Sequence, residues 1–144
     1  MKKLNFIYII VILFAAIIIS CSDDKSSTEP ELVVDPALVG TWELTKIIAN
    51  LGTTNLELTP EQAGYNVTAI FRDDLTLEST TVNGDSTTID TGTWGTKDGV
   101  LTLALDGEEP ETSPYAIEGN VATIESTVPY QGFEIDATLE FTKQ

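Results

Sequence analysis

The sequence predicts an all-β domain: an antiparallel up-and-down meander of about eight strands, closed into a barrel. From Gly40 onward, short stretches rich in Thr, Val, Ile, Leu and aromatic residues alternate with Gly, Asn, Asp and Pro at near-regular spacing. This pattern is typical of an all-β sandwich or barrel. Within 133–142, apolar and polar residues alternate at every position, as in a strand with one buried face. Closure into a barrel is expected because an open meander leaves unpaired edge strands.

Turn-forming residues divide this region into its elements. Tight turns are expected at 73–74, 83–85, 97–99 and 118–120, where Gly, Asn and Asp tolerate positive φ. One helical turn is expected at 59–62, with Thr59 as the cap, Pro60 at the first helical position and Gln62 closing a capping box. The predicted strands are 41–48, 66–72, 75–82, 86–95, 100–106, 113–118, 121–128 and 133–142.

The N-terminus has the layout of a secretory signal peptide. Lys2 and Lys3 are positive, an uninterrupted apolar run occupies 6–19, and the small residue Ser20 precedes Cys21. The run is shorter than the roughly 20 apolar residues of a membrane-spanning helix. We therefore expect residues 1–20 to be a cleaved leader, with an uncleaved signal anchor as the alternative.

Cys21 is the only cysteine of the chain. The segment 18–21 resembles the lipobox of bacterial lipoproteins, which implies a diacylglycerol on the Cys21 thiol, cleavage before it and acylation of the new amine. Stable anchoring needs two or more acyl chains, and this processing supplies them. The segment Ser22-Asp23-Asp24-Lys25 resembles acidic tags that direct some Gram-negative lipoproteins to the cell surface. We expect an outer-membrane lipoprotein, either surface-exposed or on the periplasmic face.

Residues 21–39 are expected to be a lipidated flexible tether, followed by the barrel domain at 40–144. The segment 22–36 is rich in Ser, Asp, Glu and Pro, a composition that buries too little apolar surface to order itself. A flexible coil of this length holds the domain about 25 Å from the lipid.

The composition excludes several classes of partner and chemistry. Asp and Glu number 23 against 7 Lys and Arg, so the formal net charge is −16, which disfavours nucleic acid and bare anionic lipid. The absence of His and the single Cys exclude imidazole bases, Cys–His pairs, zinc clusters and an intrachain disulfide. The acidic run 106–111 lacks the spacing of a calcium loop. We therefore expect no enzymatic activity, no cofactor, no metal and no nucleic-acid partner.

Gly40-Thr41-Trp42, at the start of the first strand, matches the G-x-W signature of lipocalins. The wider pattern is similar to the lipocalin-like domain of bacterial envelope lipoproteins, through short motifs at 38–44, 71–77, 92–94, 99–103 and 139–143. The resemblance implies a closed barrel with Trp42 in its base. The chain has no Thr-Asp-Tyr motif, and near its end Lys143 replaces the Arg that would stack on Trp42. The resemblance is therefore to the shorter bacterial relatives rather than to lipocalins proper.

Strand direction in a meander sorts the inward-facing residues by barrel end. The end at which Trp42 lies collects large apolar residues and short turns, and the opposite end is mixed in composition with longer loops, where binding residues are more often found. The residues expected to form the barrel base are Trp42, Phe71, Trp94 and Phe141. The ligand-binding candidates at the open end are Lys46, Ile48, Asp90, Leu105, Tyr115, Tyr130 and Phe133. Because the tether enters at the base, we expect the mouth to face away from the membrane.

Two functions remain open. The leading hypothesis is non-catalytic binding of a small apolar or amphipathic ligand, which enters between the loops 49–65 and 107–112. The alternative is a filled barrel that acts as an interaction or structural module for an envelope protein partner. A mouth cavity below the roughly 300 Å³ typical of ligand sites would favour the alternative.

Overall fold

All eight predicted strands are present in the structure, a computed structural model that describes residues 31–130 and 133–144. Their ends lie within two residues of the predicted ones. One further strand, β2, lies within the long predicted connection 49–65. The strands are β1 (Gly40–Asn50), β2 (Asn55–Leu58), β3 (Tyr65–Phe71), β4 (Thr76–Asn83), β5 (Ser86–Lys97), β6 (Val100–Leu105), β7 (Glu111–Glu118), β8 (Val121–Tyr130) and β9 (Phe133–Lys143).

The sheet closes into an eight-stranded antiparallel barrel, as predicted. Each strand from β3 to β9 pairs with its neighbour in sequence, and β1 pairs with both β3 and β9. The closing ladder between β1 and β9 runs from Trp42 opposite Lys143 to Ala49 opposite Ala137. This ladder removes the free edges that a long meander would otherwise expose.

The strand β2, within the long connection 49–65, pairs with the part of β1 that β3 does not reach. Only the first part of β1, Gly40–Glu43, pairs with β3, whereas Ile47–Asn50 pairs with β2. The predicted helical turn follows as α1 (Pro60–Ala63). Thr59 caps it, with the capping box to Gln62 complete and Pro60 in the first turn, as expected.

The short turns at the base follow the expected chemistry with one exception. Asp98 and Gly99 both take positive φ, 52° and 79°, as a two-residue hairpin requires. In the β3–β4 turn, however, Leu75 takes positive φ, 66°, rather than Asp73 or Asp74. Asp74 instead accepts hydrogen bonds from the Thr76 amide and hydroxyl, at 2.9 and 2.6 Å. These bonds join the residues on either side of Leu75 and so constrain its backbone.

The end of the predicted tether belongs to the folded domain. Val33 forms an antiparallel bridge with Thr96, with backbone hydrogen bonds of 3.1 and 2.9 Å. Leu38 is fully buried and joins the core cluster. The predicted flexibility of 21–39 is therefore wrong for its last residues, because Val33 and Leu38 gain partners from the barrel. The leader 1–20, Cys21 and the first part of the tether lie outside the described residues.

Candidate functional site

Trp42 forms the floor of the barrel interior. It is 1% exposed, and its indole Nε1 donates a 2.6 Å hydrogen bond to the Leu38 carbonyl. Lys143 lies over the ring, with its Nζ 5.3 Å from the ring centroid. Trp42 is thus covered by the N-terminal segment, through Leu38, and by the last strand, through Lys143.

A second tryptophan, Trp94, braces the same end. Its ring meets Phe71 edge to face, with centroids 5.1 Å apart, and its Nε1 donates to the Arg72 carbonyl at 2.9 Å. Each indole N–H is satisfied by a backbone carbonyl, as buried tryptophans require. The structure buries all four residues expected at the base, Trp42, Phe71, Trp94 and Phe141.

Above Trp42 the barrel encloses a cavity of about 110 Å³. Its surface is almost entirely apolar, with Ser79 as the single hydroxyl-bearing residue in the lining. The lining residues are Leu38, Trp42, Val67, Ala69, Phe71, Leu77, Ser79, Leu103, Leu105, Ala122, Ile124 and Phe141. A cavity of this size holds a group of a few carbon atoms, since about 150 Å³ accommodates benzene.

Two ligand-binding candidates lie on the inner face. Leu105 lines the cavity. Asp90 is directly opposite Ser79 in the β4–β5 ladder, and paired residues of two strands share a face. Asp90 is partly buried and is not part of the apolar lining of the cavity.

Lys46 and Ile48 do not face inward as predicted. The register between β1 and β9 shifts between Leu44 and Lys46, so β1 carries one extra residue there. A bulge of this kind exchanges the two faces of the strand beyond it. Ile47 and Ala49 are buried instead, and Lys46 forms a 3.1 Å ion pair with Glu140, which raises the Lys46 pKa.

Tyr115 lies near the base of the barrel rather than at its mouth. Its hydroxyl donates a 2.7 Å hydrogen bond to Asp35 of the N-terminal segment, and its amide donates to Gly99. Burial, and then the hydrogen bond to Asp35, raise the pKa of Tyr115. The prediction was wrong because β7 pairs with β6 over Glu111–Pro114. Pro114 is opposite Val100, the first residue of β6, so Tyr115 lies beyond that residue, at the base end of the barrel.

Tyr130 and Phe133 are directly opposite each other at the end of the β8–β9 hairpin. Their backbones are placed at the end of the barrel away from Trp42. Their side chains lie outside the described part of the structure.

A larger, open cleft of about 620 Å³ lies where β7 and β8 separate. Its lining is mostly polar, with carboxylates, hydroxyls and side-chain amides. The cleft is lined by Ile48, Asn50, Asn55, Glu111, Thr112, Ser113, Pro114, Glu125, Ser126, Thr127, Asp136, Ala137 and Thr138. No feature of the sequence marked this cleft, although residues at its edges come from the two loop regions predicted to flank the mouth.

The closed eight-stranded barrel with a buried G-x-W tryptophan agrees with the comparison against protein families. The profile of the lipocalin-like domain matches residues 38–137. The chain belongs to the lipocalin-like domain family. Lipocalin-like domains are typically binding domains rather than enzymes, and their barrels in general bind small hydrophobic molecules.

Other comparisons add little to the family assignment. No curated protein matches this lipocalin-like chain significantly. Among solved structures, it is similar to the siderocalin Ex-FABP, described as functioning through dual ligand specificities. The identity is 14%, the TM-score is 0.45, and the match covers 75% of this chain and 71% of the other.

The described part of this lipocalin-like domain offers neither a grouped set of metal ligands nor a membrane-spanning helix. Within residues 31–130 and 133–144, no three acidic, Cys or His side chains are grouped so as to hold a metal ion. The same ranges contain no helix of the length and hydropathy needed to span a bilayer.

Proposed function

We propose that this chain is a lipid-anchored envelope protein whose lipocalin-like barrel binds the apolar end of a small amphipathic ligand. The inner cavity is the main evidence for ligand binding. It adjoins Trp42, its lining is apolar, and its 110 Å³ accommodates a short alkyl group. The remainder of the ligand then extends past Ser79 toward the mouth.

Electrostatics favour a neutral or cationic head group. Asp90 lies next to Ser79 across the ladder, on the path from the cavity to the mouth. The net charge of −16 opposes the approach of an anionic amphiphile. Burial of the apolar end supplies the affinity, at about 25 cal/mol per Å² removed from water, and Asp90 orients the head group.

A cavity-filling variant tests this proposal. In Ser79→Leu, the added side chain enters the cavity. Thr80→Leu is the matched control, because Thr80 pairs with Thr68 on the other face of β4. Octan-1-ol and n-octylammonium chloride serve as probes. Both should raise Tm and change the tryptophan fluorescence of the unsubstituted protein and of Thr80→Leu, because a ligand that binds the native state stabilises it.

Ser79→Leu should lose both responses. An equal response in all three proteins, or no response in any, would contradict ligand binding in the cavity. Tm measured without a probe shows whether each variant is folded.

The rival function is supported by the same cavity. Its 110 Å³ is well below the roughly 300 Å³ of typical ligand sites, as expected of a mostly filled barrel. In this second function the filled barrel would act by binding an envelope protein. Native mass spectrometry of the protein isolated from its own envelope separates the two functions. A retained small molecule supports the first, and a retained protein supports the second.

The anchor is proposed from the sequence alone, from the apolar leader and from Ser20-Cys21. The full chain should incorporate labelled palmitate and stay with membranes after a salt wash. Cys21→Ala should do neither, and Ser22→Ala should behave as the unsubstituted protein. If Cys21→Ala still incorporates the label, lipidation at Cys21 is wrong. Protease treatment of intact cells distinguishes the cell surface from the periplasmic face.

A further inference from the structure

The barrel wall is open between β7 and β8. Residues Tyr115–Glu118 of β7 pair with Val121–Ile124 of β8. Beyond this point β7 pairs only with β6, and β8 pairs only with β9. The 620 Å³ cleft is lined by the two segments that have separated, 111–114 and 125–127.

A proline occurs where the ladder stops. The Tyr115 amide donates to Gly99, on the β6 side. Because amides of successive residues in a strand point to opposite sides, the amides of positions 114 and 116 are directed toward β8. Position 114 is Pro and has no N–H to donate to β8, so the ladder loses this hydrogen bond at the point where the pairing stops.

The edge of β8 that faces the cleft retains hydrogen-bonding capacity. The Asn120 carbonyl accepts from Lys143 of β9, so even-numbered residues of β8 face β9 and odd-numbered residues face β7. The backbone N–H groups of Glu125 and Thr127 are therefore directed into the cleft. At position 129 a second proline ends this run of donors. The result is a short open edge of the kind to which an extended peptide adds as a strand.

The charge of the cleft indicates the chemistry of its occupant. Glu111, Glu125 and Asp136 are exposed in its lining. Among the described lining residues none is Lys or Arg. The remaining polar side chains are hydroxyls and amides, which suit a polar chain better than an alkyl group.

We propose that this cleft binds an extended, basic segment of a partner protein, which adds as a strand to the edge of β8 at Glu125 and Thr127. The partner's backbone bonds to that edge, and its Lys or Arg side chains pair with Glu111, Glu125 and Asp136. This site is separate from the inner cavity and does not depend on a ligand there.

Peptide binding to the intact protein tests the proposal. The probe is an acetylated and amidated peptide of alternating Lys and Thr, eight residues long. Three comparison probes are its Glu-Thr counterpart, a version with Pro at every second position, and spermine. Binding is followed by calorimetry and by NMR amide shifts. The Lys-Thr peptide should bind and shift the amides of 125 and 127, because strand addition uses those N–H groups.

The comparison probes separate strand addition from simple charge attraction. The proline version keeps the charge, but every second residue lacks a backbone N–H and proline is not tolerated inside a regular strand ladder. It should bind at least about ten-fold more weakly. The Glu-Thr peptide should not bind. If spermine or the proline version binds as well as the Lys-Thr peptide, or if none of the probes binds, the proposal is overturned.

Two charge reversals locate the site. Glu125→Lys should weaken the Lys-Thr peptide by about ten-fold or more, since like charges across an interface oppose binding. Glu118→Lys is the matched control, because Glu118 is exposed on β7 at the end away from the cleft. It should change the affinity by less than about three-fold. Equal losses of peptide affinity in both variants would contradict binding at the cleft, because they would show that the peptide is attracted to the overall negative charge of the protein. Unfolding midpoints confirm that both variants are folded.

Discussion

Lys143, the last residue of β9, covers the ring of Trp42 in the first strand, with its Nζ 5.3 Å from the ring centroid. The same ammonium donates a 3.0 Å hydrogen bond to the Ala37 carbonyl. It thus connects the final strand, the first strand and the N-terminal segment at one point. A Cβ at Gly40 would lie 2.7 Å from Lys143 Cε, so the glycine of the G-x-W motif also leaves room for this lysine.

Replacing Lys143 should weaken the closed base. Lys143→Ala removes a cation–π contact and a hydrogen bond, and it should lower the free energy of unfolding by about 1–2 kcal/mol. Lys143→Arg should retain most of the stability, because a guanidinium keeps both interactions. The measurement is urea unfolding followed by tryptophan fluorescence. Lys97→Ala, at an exposed position, should stay within about 0.5 kcal/mol; a similar loss there would show that the contact with Trp42 is not the cause.

The second tryptophan should be more sensitive than the lysine. Trp94→Phe leaves the Arg72 carbonyl without its 2.9 Å donor and creates a small void beside Phe71. We expect a loss of about 2–3 kcal/mol, from an unsatisfied carbonyl and lost packing. Chemical denaturation measures it. A loss below about 0.5 kcal/mol would contradict this description of the base.

Gly92 should tolerate no side chain. A Cβ at this position would lie 2.2 Å from the Ala104 carbonyl oxygen and 2.8 Å from Leu105 Cα. Both are backbone atoms, so the β5–β6 ladder itself would have to move. Gly92→Ala should destabilise by about 3 kcal/mol or more. The neighbouring exposed Thr93→Ala is the control, and thermal unfolding of both proteins checks the contrast.

The hydrogen bond between Tyr115 and Asp35 predicts a pH dependence. Burial and the Asp35 carboxylate raise the pKa of Tyr115 above 10.0 in the folded state, so folding favours the protonated phenol. The stabilisation is complete below the unfolded pKa of about 10 and is lost as the pH rises through the folded pKa. Urea unfolding from pH 8 to pH 11 measures this loss.

Tyr115→Phe should show a smaller loss of stability across that range than the unsubstituted protein. Tyr65, whose pKa is also raised by burial, should account for part of the slope that remains. If Tyr115→Phe has the same slope as the unsubstituted protein, the Tyr115 hydroxyl does not contribute to the pH dependence.

Local patterns predicted the strands well, but not the faces of every strand. Phe133–Lys143 is identified by alternation and Thr59–Gln62 by its capping box, because both signals lie in adjacent residues. The bulge after Leu44 has no such signal. It depends on how β1 pairs with β9. The Thr45 hydroxyl, for example, donates a hydrogen bond to the carbonyl of Glu140, which is 95 residues away in sequence. The inward orientation predicted for Lys46 and Ile48 was therefore wrong.

The candidate site residues also differ in whether local sequence patterns could place them correctly. Leu105 is one of the apolar residues of β6, and its position beside the inner cavity follows from alternation. Tyr115 was misplaced because the stagger of β7 relative to β6 is a property of the closed barrel. The cleft at Glu125 was not anticipated, since it exists only where two strands that pair at one end separate at the other.

The amino-acid sequence by itself determined the all-β class, the order of the strands, the tryptophan of the base and the acidic charge, because these depend on residue type and short-range spacing. Only the tertiary structure decided which side of β1 faces inward, how little space remains above Trp42 and where the wall opens. The physical reason is that barrel closure sets register and stagger through hydrogen bonds between residues far apart in the chain. Such bonds leave no trace in any short stretch of sequence.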